Sequence, residues 1–201
     1  MEVLKEIHEQ FKSKDDFRTW MQKSFNVGEK TLSTDAYSIV ATAKTGEHPD
    51  MTEKLVSIYP FEHNKNEAII VSDLKDTIAK GPQTDEIEEI NCKEFGEGEV
   101  EWTYDIYEIY DDCPVCNGMG GKKWKTGKKV FDSDVLLKIG GSHFKINLIE
   151  RLLFVADKLG SDEIKLIHQT DAKHFSGFLI KDVEIILMPC ELYEKKFITI
   201  I

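Results

Sequence analysis

The 201-residue sequence has no apolar run that approaches the roughly 20 residues of a membrane-spanning helix. Its first residues, Met1 to Lys5, also lack the apolar core of a signal peptide. These absences predict a cytoplasmic protein with no membrane partner. With 41% hydrophobic and 10% aromatic residues, the composition is instead typical of one globular domain, or of a domain that carries an insertion.

Recognisable catalytic motifs are also missing. The six histidines are scattered and form no H-x-x-x-H or H-E-x-x-H pattern. No phosphate-cradling glycine loop stands between a strand and a helix, and the Gly-x-Ser-x-Gly elbow is absent. The sequence therefore predicts no catalytic residues and a binding role rather than an enzymatic one. The alternative is an enzyme whose site is assembled from residues that the sequence does not connect.

Basic side chains are scarce, since the sequence contains 26 lysines and arginines and 37 acids, which gives a net charge of -11. This balance disfavours a general nucleic-acid coat, because neutralising phosphates requires an excess of positive charge. The imbalance is local, however, because residues 85–112 contain twelve acids and one base. A basic run follows soon after this acidic segment and contains Lys122, Lys123, Trp124, Lys125, Lys128 and Lys129.

These charged segments allow two interpretations. In the first, they form a solvated hairpin in which opposite charges pair across strands. In the second, they form an interaction surface that reaches nucleic acid or a replication partner. Lysines would then neutralise phosphates while the indole of Trp124 stacks on a base.

Hydrophobic spacing predicts an α+β protein. Residues 3–11 and 17–25 have helical spacing, whereas residues 36–41, 54–59 and 68–71 have the composition of strands. Ser72 is expected to cap a short helix that ends at Gly81. Residues 91–129 differ in character and predict an inserted hairpin. The insertion separates a first half of the domain, residues 1–90, from a second half, residues 130–201.

The second half has a clear order of elements. A strand over residues 135–139 precedes a helix with Asn147 and Glu150 as its capping box, and this helix ends at Gly160. Three strands follow, over residues 164–168, 175–180 and 183–188. The predicted order is therefore β-α-β-β-β. The first half is interpreted as a diverged partner of the same unit.

Cysteines in a cytoplasmic chain favour metal binding or packing over disulfides. Cys113-Pro114-Val115-Cys116-Asn117-Gly118-Met119-Gly120 contains a C-x-x-C turn followed by glycines, which lets two thiolates converge on one ion. Upstream, Cys92 is followed by the same glycine spacing, with Phe95 in the second cysteine position. The candidate ligands are Cys92, Cys113 and Cys116.

This C-x-x-C-x-G-x-G stretch resembles half of the cysteine-rich zinc module of DnaJ-type chaperones, over about 30 residues. The resemblance implies a zinc-finger-like hairpin. Three thiols are one ligand short of a tetrahedral structural site, which an acidic oxygen or a water could complete. Bound zinc and a degenerate, metal-free finger both remain open.

Residues 135–190 resemble the closing unit of a DNA polymerase sliding-clamp domain. The β-α-β-β-β order ends in Leu187-Met188-Pro189, as the last strand of bacterial clamps commonly runs into a Met-Pro tail. The resemblance implies a clamp-like domain of two such halves and a non-enzymatic accessory role in DNA replication or mobile-element DNA metabolism. Its helix balances Arg151 and Lys158 against Glu150 and Asp157, whereas clamp helices that face DNA are rich in Lys and Arg.

A protein-interaction module is the remaining functional hypothesis. Trp102, Tyr104, Tyr107 and Tyr110 lie between the cysteine positions, and such aromatic residues are typical hot spots of protein interfaces. The hairpin would then present them to a partner chain. A protein partner is thus expected and a nucleic-acid partner is a candidate, while the sequence does not specify an oligomeric state.

Overall fold

The structure, a computed structural model, describes residues 2–46, 48–51, 59–91, 99–104, 107–114, 121–191 and 196–200. For residues 88–91, 99–104, 107–109 and 121–125 the description covers the backbone. The chain divides into two units, of which the first consists of Met1–Gly81 with Ser133–Ile201 and the second of Pro82–Asp132. We call the second unit the arm. The inserted segment of the sequence analysis, residues 91–129, lies within it.

Helices and strands are mixed along the chain, which confirms the predicted α+β class. The helices are α1 (Glu2–Gln10), a 3-10 helix (Asp16–Gln22), α2 (Val71–Lys80) and α3 (Ile146–Leu159). The strands are β1 (Phe25–Val27), β2 (Lys30–Thr34), β3 (Ser38–Ala43), β4 (Glu67–Ile70), β5 (Gln83–Asn91), β6 (Glu99–Tyr104), β7 (Tyr107–Asp112), β8 (Gly121–Phe131), β9 (Leu136–Ile139), β10 (Ser142–Phe144), β11 (Glu163–Gln169), β12 (Ser176–Ile180), β13 (Val183–Leu187) and β14 (Phe197–Thr199).

A seven-stranded antiparallel sheet forms the centre of the first unit. Its order is β1-β2-β3-β13-β12-β11-β4, so β13 of the second half pairs with β3 of the first half. In that pairing Ile185 lies opposite Val40 and Ile186 opposite Ile39. Because these residues are buried, the junction between the two halves is a continuous hydrophobic sheet.

The two faces of this sheet are covered differently. Helix α1 covers one face, where His8 bonds the hydroxyls of Ser33 and Thr42. Their strand neighbours Leu32 and Ala41 point to the opposite face, since successive strand residues alternate. There they join a cluster with Phe25, Ile39, Tyr59 and Ile186, against which Trp20, Val27, Met51, Phe61 and Phe175 pack.

Helix α3 has the apolar face that the sequence predicts. It buries Leu148, Ile149, Leu152, Val155 and Ala156, and contacts α1, α2, β9, β11 and β12. It ends at Gly160 in the left-handed conformation, with φ 59°, which confirms the predicted terminus.

The predicted N-caps of both long helices are wrong. Helix α3 begins at Ile146 after Lys145, and α2 begins at Val71 directly after strand residue Ile70. Neither capping position makes a side-chain cap hydrogen bond. In α2 the strand leads straight into the helix, so Ser72 already lies inside the first turn.

The predicted helix over residues 17–25 is wrong as well. A kinked 3-10 helix covers part of it, with Arg18 at φ -116° and ψ 51°, and Phe25 begins β1. Phe17 is 98% exposed, so the apolar spacing does not mark one buried face. Of the predicted strands, residues 36–41 correspond to β3, residues 68–71 to β4, and the three C-terminal strands are confirmed. The predicted strand over residues 54–59 lies outside the described residues except for Tyr59.

A smaller sheet of β10, β9 and β14 lies beside the main sheet of the first unit, and Gln169 of β11 links the two. The Gln169 amide oxygen accepts from the Gly141 N–H at 2.8 Å, and its nitrogen bonds the Ser142 and Ser176 hydroxyls at 3.0 Å each. The adjacent Gly140 has φ 57°, and a Cβ there would collide with the Gln169 oxygen. This turn therefore requires glycine.

Among the described residues, no helix is both long enough and apolar enough to cross a membrane.

Candidate partner-binding arm

The outer ladder of the arm joins the acidic segment to the basic run. Strands β5 and β8 pair antiparallel from Gln83 opposite Phe131 to Asn91 opposite Gly121. The register shifts between Asp85 and Ile87, where Gly127 of β8 takes a positive φ of 84°. This pairing places the acids of one strand beside the lysines of the other.

Opposite charges contact each other across this ladder. The Lys129 ammonium lies 2.5 Å from the Asp85 carboxylate, and the Lys128 ammonium lies 4.0 Å from Glu86. The Thr126 hydroxyl donates to the same Glu86 carboxylate at 2.5 Å. Each such ion pair in water contributes only about 0.2–1 kcal/mol, so it reduces but does not abolish the positive charge that these lysines offer to a phosphate.

Alternation along β8 divides the basic run between two faces. Lys122 lies opposite Ile90 and Trp124 opposite Glu88, on one face of the ladder. The intervening residues Lys123 and Lys125 lie opposite Glu89 and Ile87, on the other face. Residues 122–125 therefore do not form a single basic surface.

The inner ladder places three aromatic residues on one side and most of its acids on the other. In the β6–β7 hairpin, Trp102 lies opposite Ile109 and Tyr104 opposite Tyr107. These positions share one face with Val100 and its partner Asp111, because directly opposed residues lie on the same side of a two-stranded ladder. The other face carries Glu99, Glu101, Thr103, Glu108, Tyr110 and Asp112. We call the first the aromatic face, although it includes the acid Asp111, and the second the acidic face.

The predicted aromatic residues consequently fall on both sides. Trp102, Tyr104 and Tyr107 share the aromatic face, whereas Tyr110, whose side chain is 60% exposed, belongs to the acidic face opposite Glu101. Alternation in Val100-Glu101-Trp102-Thr103-Tyr104 is a signal from which this division could have been predicted.

Of the three candidate zinc ligands, one lies in the described part of the arm. Cys113 directly follows β7 and its side chain is fully buried. Cys92 and Cys116 lie outside the described residues. Within the described ranges, no group of three His, Cys, Asp or Glu side chains is placed to hold a metal ion. Zinc binding by the three cysteines therefore stays a prediction.

Arg151, Asp157 and Lys158 of α3 pair with other elements of the first unit. Arg151 pairs with Asp35 at 2.7 Å, and Lys158 pairs with Glu6 of α1. Asp157 accepts from Lys75 of α2 at 2.7 Å. The neutral balance of this helix, noted in the sequence, is thus accompanied by pairing of its charges with neighbouring elements.

Comparisons with known proteins give matches among solved structures alone. No protein-family model matches this chain, and no curated protein matches it. The DNA polymerase III beta subunit of Pseudomonas aeruginosa is similar, with a TM-score of 0.50 and 10% identity over 94% of this chain and 64% of that one. The beta subunit of Thermotoga maritima gives 0.50 and 11% over 95% and 64%. The DNA polymerase sliding clamp of Caulobacter crescentus gives 0.50 and 9% over 94% and 63%.

The likeness therefore extends over nearly the whole chain, whereas the chain spans less than two thirds of each clamp. At 9–11% identity it concerns the fold and not the function. The sequence-based resemblance to clamps is confirmed at this level: the chain has a sliding-clamp-like α+β fold.

Proposed function

We propose that this chain is a non-enzymatic accessory protein of DNA replication that binds a partner protein through its arm. The clamp-like fold is the observation that carries the proposal, because the similar structures are a DNA polymerase sliding clamp and DNA polymerase III beta subunits. The arm supplies the second element, since its inner hairpin groups aromatic residues on one face.

Protein, rather than nucleic acid, is the partner that the arm favours. Lys128 and Lys129 already contact acids of β5, and the remaining lysines of the run alternate between two faces. A phosphate-binding surface requires unpaired positive charge on one side. Aromatic residues beside a polar rim are, in contrast, the usual composition of a protein interface.

Site-specific photo-crosslinking in cells tests which face of the arm meets the partner. A photoreactive phenylalanine at Tyr104 or Tyr107 is expected to crosslink one replication protein, identified by mass spectrometry. The matched controls are Thr103 and Glu108, which are sequence neighbours on the acidic face. We expect the crosslinking yield at the control positions to be at least about fivefold lower than at Tyr104 or Tyr107, since hot-spot residues lie at the desolvated centre of an interface. Equal yields from both faces, or no replication protein among the products, would contradict the proposal.

DNA binding by the basic run is tested separately. Fluorescence anisotropy at low salt compares wild type with a Lys122→Glu, Lys123→Glu, Lys125→Glu variant, using single-stranded and duplex DNA. We expect the two proteins to titrate identically, because the run is not a single basic surface. A substantial loss of binding in the variant would instead assign the run to nucleic acid.

A further inference from the structure

A cavity of about 370 Å³ lies in the first unit, where the end of α1 meets the 3-10 helix and the N-terminal half of α3. Its volume is within the range of small-molecule sites, which begins at about 300 Å³. Four cationic side chains and two carboxylates line it: Lys12, Lys14, Arg18, Arg151, Asp15 and Asp35. On a chain with a net charge of -11, this lining carries a local charge of +2.

Arg151 is held in place by its surroundings. Its Nη1 atom contacts the Asp35 carboxylate at 2.7 Å and the Ser38 hydroxyl, and its guanidinium carbon lies 5.5 Å above the centre of the buried Phe11 ring. Asp35 is itself fixed, because its Oδ1 atom accepts from the N–H groups of Tyr37 and Ser38 at 3.0 and 2.9 Å. Both polar contacts of Arg151 use its Nη1 atom. The N–H groups on Nε and Nη2 are therefore held in a fixed orientation but take no part in these two contacts.

The turn that carries the other cations is also fixed. Ser13 N–H donates to the Met21 carbonyl at 3.0 Å, and Asp15 N–H donates to the Ser13 hydroxyl at 3.1 Å. The Asp15 carboxylate accepts from Phe17 N–H at 2.9 Å. The backbone that presents Lys14 and Arg18 is therefore built before any ligand arrives.

Positive charge at the cavity is only partly neutralised. Lys12 contacts Glu9 at 2.5 Å, but the Arg18 guanidinium lies 3.7 Å from Asp15, a loose pair with both side chains over 40% exposed. Including Glu9, the local charge remains +1. The oriented guanidinium of Arg151 and the exposed cations Lys14 and Arg18 form the donor set that phosphate prefers.

Tyr37 adds an aromatic surface to the same cavity. Its side chain lines the cavity and is 61% exposed, whereas most large apolar side chains of the unit are buried. An exposed ring beside cationic side chains can stack on a planar base while the cations bind the attached phosphate.

We infer that this cavity binds a small nucleotide, whose phosphate contacts Lys14, Arg18 and Arg151 and whose base stacks on Tyr37. All residues that line this cavity belong to the first unit, and the inference does not depend on the proposed partner protein. The phosphates of a DNA strand would offer the same chemistry, so the test includes a short oligonucleotide.

Calorimetric titration with adenosine 5′-monophosphate tests the inference on the full-length protein. We expect binding by wild type at millimolar or better affinity, and adenosine to bind about tenfold more weakly because it lacks the phosphate. A Lys14→Glu, Arg18→Glu variant should lose about tenfold or more in affinity. The control variant Lys80→Glu, Lys173→Glu has the same net charge but changes exposed residues outside the cavity lining, and should bind like wild type.

Two further measurements separate the parts of the ligand. Tyr37→Ala should weaken the nucleotide about fivefold or more while leaving inorganic phosphate unchanged, because stacking concerns the base alone. Inorganic phosphate should compete with the nucleotide.

Three results would overturn the inference. They are no nucleotide binding up to about 10 mM, equal losses in the cavity variant and the control variant, and binding of a short oligonucleotide that the mononucleotide cannot displace.

Discussion

Acidification is expected to destabilise the first unit through His8. This side chain is 4% exposed, and its two ring nitrogens lie 2.9 Å from the Ser33 hydroxyl and 3.0 Å from the Thr42 hydroxyl. Burial, followed by the positive charges of Lys12 and His48, lowers the pKa of His8 from 6.5 to about 4. The folded protein therefore keeps this imidazole neutral at a pH where the unfolded chain protonates it.

The sign and size of the effect follow from proton linkage. The contribution of neutral His8 is fully present above pH 6.5 and is lost as the pH falls toward 4, because the unfolded state then binds the additional proton. At about 1.4 kcal/mol per pKa unit, the loss reaches about 3 kcal/mol. Such a loss is a large part of the 5–15 kcal/mol that is roughly typical of a domain.

Urea unfolding at pH 7 and pH 4 measures this loss. A His8→Gln variant keeps a donor and an acceptor for the two hydroxyls but cannot titrate, so its pH-dependent loss should be smaller than that of wild type by about 3 kcal/mol. Buried His143, whose pKa is also lowered by burial, contributes with the same sign to both proteins and cancels in the comparison. His63→Gln, the same substitution at an exposed position, is the control for exchanging a histidine for glutamine. An equal loss in wild type and His8→Gln would refute the reasoning.

Other predictions concern the sheet junction and the arm. Gln169→Leu leaves buried polar groups without their partner and should lower the free energy of unfolding by about 2–4 kcal/mol. Gly140→Ala strains the same turn and should also be destabilising in the urea assay. A neutral effect of either substitution would contradict the stabilising role of the Gln169 hydrogen bonds. In the arm, Lys129→Asp should speed amide hydrogen exchange in β5, and adding Asp85→Lys should reverse that change. Equal exchange rates in all three proteins would show that the Lys129–Asp85 pair does not stabilise the ladder. Metal analysis of protein purified without chelator should find up to one zinc per chain, less in Cys113→Ser, and a complete absence of zinc would remove the metal prediction.

Elements with a strong local pattern could be predicted from the sequence, whereas those fixed by tertiary contacts could not. The apolar face of α3 and its end at Gly160 depend on neighbouring residues of one helix. The apolar spacing over residues 17–25 imitates a helix, but Trp20 lies in the 3-10 helix and Phe25 in β1, with ring centroids 6.1 Å apart. Both side chains belong to the cluster on one face of the sheet, so tertiary packing rather than a single helix accounts for their apolar character.

The candidate sites divide in the same way. Alternation in β6 and the charge contrast between β5 and β8 are visible in sequence, since each depends on residues within one strand. The cationic cavity is not visible, because the Lys14–Arg18 turn, Asp35 and Arg151 come from three separate parts of the chain and form no motif. Only the pairing of the two halves of the fold brings Arg151 to Asp35.

The closure of the arm has a consequence for how such a chain could arise and be engineered. The Asp132 N–H donates to the Pro82 carbonyl at 2.9 Å, and the adjacent Gln83 pairs with Phe131, so the chain leaves the arm beside the point where it entered. An insertion with adjoining ends can be gained or lost in a single genetic event without changing the spacing of the elements that flank it. Replacing the arm by a short linker between Gly81 and Ser133 would therefore leave the two ends of the first unit joined at the same place and would give this unit by itself.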